Sequence, residues 1–127
     1  MSVVIIMGSE VDRPHAQKMI DVLEGKGKKV ETFVASAHKT PRVALEILDK
    51  YVHQKVVFIT IAGRSNALSG FCAGNTHHPV LACPPFADKT DMLVNVHSTL
   101  QMPSNVPVMT VLDPKNCALA AIRILDL

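Results

Sequence analysis

Tryptophan is absent from this 127-residue chain, and its aromatics amount to one tyrosine and four phenylalanines. A core made without them must be aliphatic, assembled from Val, Ile, Leu, Met and Ala. The same shortage speaks against a flavin binder, which needs aromatic rings to stack on its cofactor. Cysteines number three (Cys72, Cys83 and Cys117) and form no C-x-x-C pair, so neither a disulfide framework nor a zinc site is indicated. No charge of one sign dominates: 13 basic against 11 acidic side chains leave a formal +2. Without a long Lys/Arg run there is no nucleic-acid face. The most basic stretch, Gly25-Lys26-Gly27-Lys28-Lys29, reads as a solvated turn. No apolar run reaches transmembrane length, and no basic leader precedes the apolar start at Val3. The expectation is a cytoplasmic protein with reduced thiols. What is plentiful is apolar: 48% of residues against 19% charged, enough for one domain over residues 1–127 with its own core.

Apolar runs and turn residues alternate along the chain. Residues 2–7 are a continuous apolar strand ended by Gly8-Ser9. Asp12 is placed as an N-cap, and Pro14 in the first turn costs no hydrogen bond. Ala16, Met19, Ile20 and Leu23 then recur at helical spacing, as far as Gly25 or Gly27. A second strand over 29–35 ends at Ser36, and Thr40-Pro41 opens a helix with Val43, Ala44, Ile47, Leu48 and Tyr51 apolar. A third strand, 56–62, runs into Gly63-Arg64-Ser65 and a small-residue helix from Ser65 or Asn66 to Gly74. Residues 80–83 form a fourth strand stopped by Pro84-Pro85. A helix over 88–100, a strand over 106–112 and a helix over 115–127 complete the chain. Strands apolar throughout are buried on both faces, which means a parallel sheet covered by helices on either side. Strict alternation with right-handed crossovers predicts an α/β fold: a three-layer, doubly wound, parallel five-stranded sheet in the flavodoxin-like order 2-1-3-4-5.

Ser9, Ser36 and Gly63 follow three successive strands at intervals of 27 residues. Parallel strands put all three on the carboxyl edge of the sheet, where open α/β sheets bind ligands beside the point at which strand order reverses. Gly8-Ser9-Glu10-Val11-Asp12 offers a helix N-terminus suited to phosphate, with Asp12 suited to ribose hydroxyls; it also reads as a plain turn and cap. Ser36-Ala37-His38-Lys39 sets an imidazole, which moves protons near neutral pH, beside a phosphate-neutralising lysine. The plainer reading there is a solvated loop histidine. Gly63-Arg64-Ser65-Asn66 adds donors and a guanidinium that clamps carboxylate or phosphate, or is simply a polar helix start. Three such loops on one edge favour a site over three coincidences. His77-His78 read as surface or loop packing rather than a metal pair, His15 and His53 as helix-surface residues, and Cys83 as inert packing at a strand end. Met102-Pro103-Ser104 reads as a loop that covers the site or meets a partner subunit.

In combination these segments resemble one family. Met7-Gly8-Ser9 with Asp12, Ser36-Ala37-His38-Lys39, Ala62-Gly63-Arg64-Ser65-Asn66, Cys83-Pro84-Pro85, Met102-Pro103-Ser104 and Pro114-Lys115-Asn116 are similar to the aminoimidazole ribonucleotide carboxylase and N5-carboxyaminoimidazole ribonucleotide mutase family, over residues 4–127. Lys39, the Gly63–Asn66 loop and Cys83-Pro84-Pro85 resemble its carboxylase branch, which takes CO2 directly. The resemblance implies a cytoplasmic carboxy-lyase of purine (IMP) biosynthesis. It would add CO2 to C4 of 5-aminoimidazole ribonucleotide, giving 4-carboxy-5-aminoimidazole ribonucleotide, with no cofactor, no metal and no nucleic-acid or membrane partner. A homo-oligomer, tetramer or octamer, is implied as well. The mutase on the same scaffold and a non-catalytic nucleotide-binding relative are the alternatives. By position, Ser9, Asp12, Ser36 and Lys39 would hold the ribose 5-phosphate. Gly63, Arg64, Ser65 and Asn66 would line the imidazole and CO2 end, and His38 would carry the proton. The chain departs from the family's usual pattern at Val11, where a second serine is common, at Gln101, where the carboxylase branch often has Arg, and at Asn105, where glycine is common.

Overall fold

A strand with neighbours on both edges and helices on both faces must be apolar at every position, and the first strand is. The computed structural model describes residues 1–127, with elements in the order β1 (Ser2–Met7), α1 (Arg13–Gly25), β2 (Lys29–Val34), α2 (Pro41–Lys50), β3 (Val56–Ile61), α3 (Leu68–Gly74), β4 (Val80–Ala82), α4 (Lys89–Leu100), β5 (Met109–Thr110) and α5 (Pro114–Leu125). The strands form one parallel sheet in the order β2-β1-β3-β4-β5, the flavodoxin-like arrangement expected. Strand pleating sends alternate side chains to opposite faces. Val3, Ile5 and Met7 of β1, with Val57, Ile59 and Ile61 of β3, meet Ala16, Met19 and Leu23 of α1 and Ala118, Ala121 and Leu125 of α5. Val4, Ile6, Val56 and Phe58 face the other way, onto Ala44, Ile47 and Leu48 of α2, Tyr51 just after it, and Leu68 and Cys72 of α3. Each large side chain removed from water in this way stabilises the fold by about 1.5–3 kcal/mol. No helix is long and apolar enough to cross a membrane.

Local expectations give way in four places. Asp12 makes no side-chain cap bond; a short 3-10 turn over Glu10–Asp12 precedes α1, and Ser9 caps it by accepting from the Val11 N–H at 3.3 Å. The third helix begins at Leu68, not at Ser65 or Asn66. Ser65 sits at φ +52°, a left-handed conformation that interrupts a helix, and the Asn66 N–H donates instead to Ser98 Oγ at 2.6 Å. Finally, β5 is two residues long where 106–112 was expected. Pro107 has no N–H to give the ladder, and the Val106 N–H turns back to the Pro103 carbonyl at 3.3 Å. The helix after it starts at Pro114, one residue before the expected Lys115, with Asp113 accepting from the Asn116 N–H as its cap.

Candidate active site

The carboxyl ends of β1, β2 and β3 deliver three turns to one hollow of about 180 Å³, lined by Gly8, Ser9 and Asp12, by Ser36, Ala37 and His38, and by Ala62, Gly63, Arg64, Ser65, Ala67 and Leu68. The point of strand reversal lies there because β1 pairs with β2 on one side and β3 on the other. Seven of the nine residues singled out in the sequence therefore share one cavity.

Two hydroxyls are held with their protons free. Ser36 Oγ accepts from the backbone N–H groups of His38 at 3.2 Å and Lys39 at 3.1 Å, and Ser9 Oγ accepts from Val11 N–H. The backbone engages both acceptor lone pairs of Ser36 Oγ and one of Ser9 Oγ, and neither O–H is spent on a protein acceptor, so both remain to donate, which suits phosphate oxygens. The Ser36 turn is closed a second way: the Ser36 N–H donates to Thr40 Oγ1 at 2.9 Å, and the Thr40 N–H to the Ser36 carbonyl at 2.9 Å. His38 stands exposed on this braced turn. Burial pushes the Asp12 carboxyl above its usual range and outweighs the opposing backbone hydrogen bond at Ser9. Arg64 lies on the rim, its side chain 74% exposed, with Nε 3.4 Å from an Asp91 carboxylate oxygen.

Lys39 and Asn66 stand apart from the lining. Lys39 shares the His38 turn and is exposed. Asn66 is buried, and its side chain is occupied within the protein: Nδ2 donates to Thr99 Oγ1 at 2.9 Å, and Oδ1 accepts from the Ser69 N–H at 3.3 Å. It ties the third loop to α4.

A second hollow of about 320 Å³ opens beside the first and shares Asp12, Gly63 and Arg64 with it; Pro85, Phe86, Ala87, Asp91 and Asn95 complete its wall. Sequence reasoning missed this wall. Its signal was present, in that Asp91, Asn95 and Thr99 recur every four residues through a helix otherwise rich in Met, Leu and Val.

The remaining candidates settle as packing. His15 is half-buried rather than a plain surface residue, with Nε2 3.2 Å from the Cys83 carbonyl. His78 Nε2 lies 2.8 Å from the Tyr51 carbonyl. The Cys83 thiol is held far above its usual range, first by its hydrogen bond with Cys117 and then by burial; burial alone pushes Cys72 up to about 12. Val11 is 81% exposed, its N–H already used by Ser9. Asn105 takes φ +69°, a conformation that glycine and asparagine adopt most readily.

The profile of the family described as AIR carboxylase matches residues 2–127. A phosphoribosylaminoimidazole carboxylase of Archaeoglobus fulgidus is 46% identical over 127 residues, covering 100% of this chain and 70% of that protein. An N5-carboxyaminoimidazole ribonucleotide mutase of Methanocaldococcus jannaschii is 43% identical over 125 residues, covering 97% of this chain and 78% of that one. The crystal structure of Treponema denticola PurE superposes with a TM-score of 0.89 at 41% identity, covering 98% of this chain and 79% of that chain.

Proposed function

The chain belongs to the AIR carboxylase family, and from that membership we propose that it adds CO2 to C4 of 5-aminoimidazole ribonucleotide in purine synthesis. The observation that carries this reading is the convergence of three strand-end turns, bearing Asp12, His38 and Arg64, on one hollow. Ser9, Ser36 and the exposed Lys39 take the 5-phosphate through two free hydroxyl protons and an ammonium. Asp12 accepts from the ribose hydroxyls. Gly63 and Ser65 border the ring, and Asn66 acts through the loop it ties to α4. The amino group at C5 makes C4 an enamine-like nucleophile, so C4 attacks CO2 directly and a C–C bond forms. His38 takes the proton displaced at C4, which restores the aromatic ring, and Arg64 faces the new carboxylate. Electrons and protons balance without a redox partner. Positioning and charge stabilisation supply the catalysis.

The mutase reading is the second, favoured by the 43%-identical mutase. Lys39 and the Gly63-Arg64-Ser65-Asn66 loop favour the carboxylase. Three free, buried cysteines suit a reducing cytoplasm. Exposed apolar side chains at Phe86, Leu93 and Leu100 suit a homo-oligomer, tetramer or octamer.

The test is direct assay. Carboxylated product is expected from 5-aminoimidazole ribonucleotide and bicarbonate-derived CO2 without ATP. Product formed only from the N5-carboxy substrate would instead make the protein a mutase. His38→Asn is expected to lower turnover by at least about a hundredfold while ribonucleotide binding persists. Unchanged turnover would remove His38 from the reaction.

A further inference from the structure

Asn95 of α4, 3% exposed, belongs to the wall of the side hollow. The orientation of its carboxamide is fixed by chemistry. The amide nitrogen faces two groups that only accept, the Pro85 carbonyl at 2.5 Å and an Asp91 carboxylate oxygen at 3.4 Å. The oxygen Oδ1 is left on the other side, and no protein group donates to it. A Cβ built on Gly63 would stand 3.7 Å from Asn95 Nδ2 and 3.9 Å from Oδ1, so the carboxamide, bare acceptor included, lies edge-on against the glycine at which the two hollows join. A buried acceptor without a donor is costly, and such groups are rare. One that is retained beside a ligand cavity is accounted for when the ligand brings the donor.

We propose that Asn95 contacts the substrate and sets its specificity, with Oδ1 accepting a hydrogen bond from the exocyclic amino group of the aminoimidazole. The inference rests on the carboxylase reading above. Among the groups of such a substrate, phosphate oxygens only accept, and the ribose hydroxyls face Asp12. The ring amine is the donor at the reacting end. Arg64 lies on the wall of the same hollow and supplies N–H groups where Asn95 supplies an acceptor. Together they match a carboxylate and an amine on adjacent ring carbons. An amine held in the ring plane keeps its lone pair conjugated onto C4, the carbon that forms the new bond.

The test compares two ligands on the intact protein: 5-aminoimidazole ribonucleotide and its analogue lacking the amino group. Wild type is expected to bind the amino ligand roughly three- to tenfold more tightly, the scale of one net hydrogen bond. Asn95→Leu is expected to erase that preference and leave the affinity for the analogue in place. Equal losses for both ligands, or an unchanged preference, would overturn the assignment of Asn95 while the carboxylase reading stands. Wild-type protein that binds neither ligand would overturn both. Should Asn95→Leu fail to fold, the wild-type side-chain carbonyl carbon of Asn95, observed by NMR after asparagine labelling, serves instead. It is expected to shift with the amino ligand and not with the analogue, and identical responses to the two would overturn the proposal.

Discussion

Asp12 illustrates how a candidate site works against the fold that holds it. Its carboxyl is pushed above the ordinary range chiefly by burial, so the native state holds this proton more tightly than the unfolded chain does. By linkage, stability from this group is greatest at acid pH and falls as pH rises from the unfolded value through the raised native one. Its ionised form is disfavoured by partial burial, and the side chain is kept because it faces both hollows. Asp12→Asn is therefore expected to melt at a higher temperature than wild type at pH 7. That gain should shrink below about pH 4, where both chains carry a neutral group. Calorimetry at the two pH values measures it. Ribonucleotide affinity should fall in the same variant, and an Asn variant that is less stable at pH 7 would contradict the account.

At the scale of elements, the turn between β2 and α2, which bears His38, is braced from inside. Ser36 Oγ gathers the N–H groups of His38 and Lys39, and Thr40 closes the other side. Ser36→Ala frees both N–H groups on an exposed turn, so urea unfolding is expected to show a loss of about 1 kcal/mol. Because the same change loosens His38 and removes a donor to phosphate, kcat/KM should fall by roughly tenfold or more, beyond what lost stability explains. Legibility followed the physics of each element. β1 and β3 were readable because strands buried on both faces are written as solid apolar runs, and their ends fixed where Ser9, Ser36 and Gly63 fall. β5 was not, since alternating Val and Pro over 106–108 look strand-like until Pro107 withholds its N–H. The partners of Asn66 and Asn95 were hidden for another reason. Asn66 turns inward through contacts with α4, 32 and 33 residues away, which no local pattern encodes, whereas the four-residue spacing of Asp91, Asn95 and Thr99 marks an inward polar stripe without saying what it meets.

For the whole molecule, α4 is the element whose sides are reversed. Its buried residues are Asn95 and Thr99, while Leu93 and Leu100 are 57% and 61% exposed, and nearby Phe86 is 45% exposed. It packs extensively on no other helix or strand and is tied to the rest through Asn66 and the Pro85 carbonyl. A helix with polar groups inward and aliphatic groups outward is stable when the outward face is covered. Under the homo-oligomer proposed above, a second copy of this chain supplies that cover. Light scattering is expected to give a multiple of the protomer mass for wild type, and Leu93→Glu with Leu100→Glu is expected to give the protomer mass itself. The consequence reaches the site, because α4 carries Asn95 and the Asp91 that pairs with Arg64. Dissociation would leave that wall of the side hollow held by loops alone, so the double variant should bind the ribonucleotide more weakly although neither substituted residue lines a hollow. A wild-type protomer that is monomeric at micromolar concentration and fully active would break this link between assembly and site.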